Sequence, residues 1–174
     1  MSDFERIRKT NRLHKYDYSQ SGWYYVTICT KNKEDFFGEI VDGKMVLNSV
    51  GNIVKHCWFD LINHYLNIEL DEFIIVPDHI HGILVIRNAH VNCVGTGLKP
   101  VPTNKTGHGL SEIIRGFKTF SSMKIHYELH INSFSWQRSF YDRIIRNEHE
   151  YLAIRQYIRD NPKNWGKDED NLDV

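Results

Sequence analysis

The stretch Pro77-Asp78-His79-Ile80-His81-Gly82-Ile83-Leu84-Val85-Ile86 decides how this chain is read. Its second half is an aliphatic run of the kind a buried strand needs. Phe73-Ile74-Ile75-Val76 just before it supplies a second run, so the two frame adjacent strands. Side chains alternate faces along a strand, which puts His79 and His81 on one face and Ile80 on the other. Two imidazoles side by side on a rigid central element make half of a metal site. As a bare motif, the same spacing also occurs as two exposed strand residues.

Outward from that stretch, the elements follow from periodicity and turn chemistry. Trp23-Tyr24-Tyr25-Val26-Thr27-Ile28-Cys29-Thr30 is dense in aromatic and β-branched residues and predicts a buried strand. Phe36–Val41 and Lys44–Leu47 flank Asp42-Gly43, a dipeptide suited to the positive φ values of a tight hairpin. Asn48 or Ser49 can cap a helix whose apolar stripe is Ile53, Val54, Cys57, Trp58, Leu61, Ile62 and Tyr65. A second helix runs from Leu110 to about Leu129, with Ile113, Ile114, Phe117, Phe120 and Met123 as its stripe. A short strand over Phe140–Ile145 precedes a last helix, from Glu148 to about Asp160, stopped by Pro162. The order βββαββαβα predicts an α+β fold, an antiparallel sheet with helices packed on a face.

Composition narrows the function. With 174 residues, 41% hydrophobic and 13% aromatic, residues 1–174 suit a single domain, and 90–109 read as a surface-loop insertion. Lys+Arg and Asp+Glu balance at 22 each, so any nucleic-acid surface must be local. Cys29, Cys57 and Cys93 are odd in number and lack a C-x-x-C spacing, which argues against a disulfide framework and a cysteine zinc site. A reducing cytoplasm fits best. No apolar stretch approaches the roughly 20 residues that span a bilayer, so no membrane role is expected.

The last helix carries further chemistry. Tyr157 and Asn161 are four residues apart and share a stripe with Ala153 and His149, while Ile154 and Ile158 face elsewhere and can anchor the helix to the sheet. Laid across the histidine strand, the helix would offer the Asn161 amide oxygen as a third ligand and the Tyr157 hydroxyl one turn away. Such a mixed nitrogen and oxygen set suits Mg²⁺ or Mn²⁺, and the imidazoles would also accept Zn²⁺. Taken singly, Tyr157 also reads as an aromatic packed on the sheet, and Asn161 as a helix C-cap.

The His79-Ile80-His81 motif after Val76-Pro77-Asp78 is followed by Trp136-Gln137-Arg138-Ser139-Phe140-Tyr141-Asp142-Arg143-Ile144-Ile145-Arg146-Asn147 and by Tyr157-Ile158-x-x-Asn161-Pro162. This combination resembles the REP-associated tyrosine transposases, within the single-tyrosine HUH transposases of the insertion-sequence type, over about Trp23 to Trp165. The resemblance implies that His79 and His81 bind the metal and that Tyr157 is the DNA nucleophile. Asn161 then stands where related enzymes place a third, usually Gln, ligand. Tyr151 and Tyr141 are alternative nucleophiles, though neither has a candidate ligand four residues on. The implied reaction is a metal-assisted transesterification of single-stranded or hairpin DNA through a 5′-phosphotyrosine, with two copies able to pair as related enzymes do. Rival readings are a DNA-hairpin-binding domain that no longer cuts, and a phosphodiesterase that uses water. Candidate DNA contacts are Arg12, Lys15, Arg115, Lys118, Arg138, Arg143 and Arg146, with Trp23 and Trp136 as surfaces for stacking unpaired bases.

Val94-Gly95-Thr96-Gly97-Leu98-Lys99-Pro100-Val101-Pro102-Thr103 is a Gly/Pro segment without periodicity, hence a loop. Its permitted codons include GTA GGG ACA GGT TTG AAA CCT GTC CCT AC, whose halves are reverse complements about one central G. The segment reads as a palindromic repeat inserted into the gene and translated.

Overall fold

A computed structural model describes residues 20–87 and 107–165. The strands are β1 (Gly22–Cys29), β2 (Gly38–Val41), β3 (Lys44–Leu47), β4 (Ile68–Val76), β5 (His79–Ile86) and β6 (Tyr141–Ile145); the helices are α1 (Ser49–His64), α2 (Leu110–Leu129) and α3 (Glu148–Asn164). The order is the one expected from sequence. Most of the expected insertion, 90–106, lies outside the described residues, and so does the palindromic segment.

Strands β4-β5-β1-β6 form one antiparallel sheet, and β2-β3 pair separately as a hairpin turned by Asp42 and Gly43 at φ 51° and 70°. Alternation along the strands divides the side chains into two cores. Tyr24, Val26, Ile28, Ile80, Leu84 and Ile86 point to the side carrying α1 and α2, whose Val54, Trp58, Leu61, Ile113, Ile114 and Phe117 close the larger core. Tyr25, Ile83 and Ile145 point the other way, where Ile154 and Ile158 of α3 cover them. The expected α+β fold, an antiparallel sheet with helices packed on it, is the one observed; helices cover both faces, and α3 has one to itself.

Two expected stripes are narrower than periodicity suggested. Ile62, Phe120 and Met123 are 48%, 47% and 60% exposed, while the polar Ser121 is fully buried. Ser121 can enter the core because its hydroxyl donates to the Phe117 carbonyl and accepts from Trp136 Nε1. The last helix also runs further than expected, passing through Pro162 to Asn164. Proline's φ is already helical, so continuation forfeits one backbone bond near the helix end, and the buried ring packs in exchange.

Three local devices fix the parts that matter for chemistry. The Pro77-Asp78 turn is held by backbone donors, Thr30 N–H to the Asp78 carbonyl at 2.8 Å and Phe36 and Phe37 N–H to the Pro77 carbonyl at 2.9 and 3.0 Å. Asn147 caps α3 by accepting from Glu150 N–H at 2.8 Å, and the Glu150 carboxylate reaches back to Arg146 N–H at 3.0 Å. A bulge between Leu70 and Phe73 carries Asp71 and Glu72, which meet α3: Tyr151 donates to Asp71, and Arg155 and Arg159 pair with Glu72 at 3.3 and 2.8 Å.

Candidate active site

The β1–β5 register sets Thr27 opposite His81 and Cys29 opposite His79, on the α3 face of the sheet. The two histidines aim at one point: their Nε2 atoms are 2.9 Å apart. His79 Nδ1 lies 2.5 Å from the Asp78 carboxylate, which receives its N–H and leaves the Nε2 lone pair outward. His81 Nδ1 faces two hydroxyls, Tyr25 at 2.7 Å and Thr27 at 2.9 Å, and Thr27 donates to the Tyr25 oxygen at 3.1 Å. Burial keeps the Tyr25 phenol protonated far above its ordinary range. Burial, and then its neighbour His79, lowers the pKa of His81, which is 1% exposed and therefore a neutral imidazole.

With Tyr25 and His81 neutral, two tautomeric arrangements of the bonds are open. In one, Tyr25 donates to His81 Nδ1, His81 Nε2–H points at His79 Nε2, and His79 Nδ1–H ends on Asp78. Hydroxyls both donate and accept, so Tyr25 and Thr27 can also receive an Nδ1–H from His81 and release its Nε2 lone pair. Neutral partners therefore allow the tautomer change that a metal ligand requires.

Helix α3 crosses this cluster. Asn161, 6% exposed, brings its Nδ2 to 3.4 Å from His81 Nε2, the outer limit of a hydrogen bond. Its buried Oδ1 has no hydrogen-bond partner among the described residues. One turn back, the half-buried Tyr157 ring sits 5.4 Å from the His81 ring and 6.4 Å from that of Tyr25. The expected stripe is realised: His149, Ala153 and Tyr157 line a cavity of about 390 Å³, opposite Tyr141, Arg143 and Arg146.

No group of three His, Cys, Asp or Glu gathers at a metal-holding distance among the described residues. The groups that meet here are two imidazoles, with the Asn161 amide beside His81. They fit a divalent cation on two observations: both Nε2 atoms converge, and a buried amide oxygen without a partner among the described residues belongs to the residue beside them. Cys29 stays outside this set, its thiol pushed up to about 11 by burial and then by Asp78.

The alternative tyrosines fall in different places. Tyr151 bonds Asp71 and packs against Trp23, ring centroids 4.4 Å apart and planes tilted by 49°, at the end of β1 remote from Thr27. Tyr141 stands opposite Thr27 on β6, its ring 6.2 Å from Tyr25. The expected cations divide as well. Arg146, Arg138 and Arg115 are exposed, and Arg143 is half-buried, bonded to Glu150 at 2.7 Å. Lys118 is a structural tie: Nζ donates to the Gln137 and Ser139 carbonyls at 2.8 and 2.9 Å, and burial lowers its pKa to about 8. Trp136 lies in the core, 9% exposed with its N–H on Ser121, and offers no face to a base. Trp23 is half-covered by Tyr151. Arg12 and Lys15 lie outside the described residues. Sequence reasoning passed over Tyr25, Thr27 and Asp78. The signal for the first two was Tyr25-x-Thr27 inside an otherwise apolar strand, hydroxyls at period two on one face.

No protein-family model matches the chain. A Haemophilus influenzae protein described as uncharacterized is 37% identical over 166 residues, 93% of this chain and 92% of that protein. Among solved structures, a REP-associated tyrosine transposase bound to a REP hairpin has 17% identity and a TM-score of 0.57, covering 89% of this chain and 74% of that one. That likeness is one of fold.

Proposed function

We propose that this chain, which belongs to one family with the Haemophilus influenzae protein and has the fold of a REP-associated tyrosine transposase, is a metal-assisted DNA strand transferase acting on single-stranded hairpins. One observation carries the reading: the Tyr157 ring lies 5.4 Å from His81, whose Nε2 converges with His79 Nε2 at 2.9 Å. A phenol, a convergent imidazole pair and an arginine-lined cavity answer the needs of phosphodiester transesterification.

In this reading Tyr157 Oη attacks the scissile phosphorus. The Oη–P bond forms and the P–O3′ bond breaks, giving a 5′-phosphotyrosine and a 3′-hydroxyl. The tyrosine's proton is lost to solvent, and the leaving oxygen gains one in return. A strand's 3′-hydroxyl reverses the step and rejoins DNA without ATP. His79, His81 and Asn161 would hold Mg²⁺ or Mn²⁺, which supplies charge to polarise the phosphate and stabilise the developing negative charge. Asp78 fixes the His79 ring with Nε2 outward, while Tyr25 and Thr27 orient His81. Ile154 and Ile158 hold the Tyr157 face of α3 toward the cavity, and Arg146 and Arg143 border the path of the DNA backbone.

The test is a denaturing gel of the full chain incubated with labelled hairpin DNA and Mn²⁺. A slow-migrating band resistant to denaturant and destroyed by protease supports strand transfer. Cleavage without that band favours attack by water. Hairpin binding without cleavage favours a domain that binds hairpins and no longer cuts.

A further inference from the structure

A single buried residue ties together the two described stretches that flank residues 88–106. The described chain stops at Arg87, just past β5, and resumes at Gly107, just before α2; residues 88–106 lie outside the described residues. Arg87 N–H donates to the Asn67 carbonyl at 2.8 Å, and the Asn67 side-chain amide donates to the His108 carbonyl at 3.1 Å. Asn67 is 6% exposed and so holds Arg87 and His108, the described residues on either side, from inside the fold. Closing a loop between two points already fixed costs little as its length grows, which makes this junction a tolerant place for inserted sequence.

The inserted sequence has a symmetry that protein structure does not demand. Read inward from both ends, Val94 faces Thr103, Gly95 faces Pro102, Thr96 faces Val101, Gly97 faces Pro100 and Leu98 faces Lys99. The first two codon bases are GT for Val and AC for Thr, GG for Gly and CC for Pro, and TT for one set of Leu codons and AA for Lys. In every facing pair the two doublets are reverse complements. Third positions are free enough to complete the pairing around a single central base. Turn formation explains Gly and Pro here, but it does not explain why each glycine faces a proline, each valine a threonine and the leucine a lysine.

We infer that the coding DNA of Val94–Thr103 is an inverted repeat, and that the hairpin it forms when single-stranded is bound and cut by the protein it encodes. This rests on the strand-transfer reading and names its substrate: a DNA hairpin inside the protein's own reading frame, inserted where Asn67 lets the fold carry its translation.

The first measurement is the coding sequence of codons 94–103, and a sequence without the inverted repeat overturns the inference at once. The second uses the full chain, Mn²⁺ and single-stranded DNA oligonucleotides: the native coding segment with its flanks, a synonymous version whose pairing is destroyed, and hairpins of equal stem length with shuffled stems. The expected result is a covalent adduct on the native hairpin, with binding at least tenfold tighter than to the recoded or shuffled strands. Adducts of equal yield on shuffled hairpins overturn the inference and leave strand transfer standing. Absence of binding and adduct on every hairpin overturns both. An RNA copy of the native hairpin that binds tighter than the DNA overturns the assignment to DNA.

Discussion

Replacing Asn161 with leucine should move stability and metal response in opposite directions. Among the described residues the buried Asn161 Oδ1 has no hydrogen-bond partner, and its Nδ2 makes a 3.4 Å contact with His81. An unsatisfied buried polar atom costs about 1–3 kcal/mol, and leucine of similar volume removes that cost. For a chain of 174 residues, each kcal/mol shifts Tm by roughly 2–4 °C, so Asn161→Leu should melt a few degrees above the parent. Mn²⁺ at about one hundred times its Kd should stabilise the parent by about 2.7 kcal/mol. Loss of a ligand that weakens binding by about 10–100-fold cuts this to roughly 0.4–1.4 kcal/mol at the same concentration. Thermal melts of both proteins with and without Mn²⁺ read both effects. A variant that melts lower without metal would show that Asn161 serves packing, and an undiminished Mn²⁺ shift would remove it from the ligand set.

Tyr157→Phe should abolish the covalent adduct with hairpin binding retained, whereas Tyr151→Phe, whose hydroxyl is engaged by Asp71, should still form it; the gel assay distinguishes them. Gly82→Ala should lose about 1–3 kcal/mol in chemical denaturation, because an added Cβ would stand 2.4 Å from Cζ2 of the fully buried Trp58, itself wedged against Phe73 and Phe117. Lys118→Met should cost about 1–3 kcal/mol by orphaning two carbonyls while leaving the salt dependence of DNA binding unchanged, and Arg146→Ala should flatten that dependence by about one unit of slope. Replacing Val94–Thr103 with a short Gly/Ser linker should preserve both folding and hairpin cleavage, measured by melting and by adduct yield.

Element order, the Asp42-Gly43 turn, the Asn48 cap and the shared face of His79 and His81 could all be read from sequence, because each depends on neighbours within a few residues. What depended on register could not. Nothing local announces that Thr27 stands opposite His81, or that Asp78 turns onto His79 rather than toward water. Lys118 and Trp136 looked like DNA contacts from their types, but the Gln137 and Ser139 carbonyls accept hydrogen bonds from the lysine, while the buried Ser121 accepts the indole N–H. Tyr157 and Asn161 shared a stripe by simple helical spacing. That the stripe crosses the histidines follows from α3 having its own face of the sheet, which periodicity does not encode.

The bulge at Leu70–Phe73 bears on dynamics. Helix α3 rests on a small apolar footing, Ile154 and Ile158 against Tyr25, Ile83 and Ile145, and the carboxylates of Asp71 and Glu72 fasten its outer side to Tyr151, Arg155 and Arg159. These ion pairs are partly exposed and are screened within about 3 Å at 1 M salt, whereas burial of the isoleucines is not. The segment bearing Tyr157 is therefore the sub-global unit whose opening free energy falls as ionic strength rises. Its amide hydrogens should exchange with deuterium ahead of those in β1 and β5, by a margin that widens with added salt.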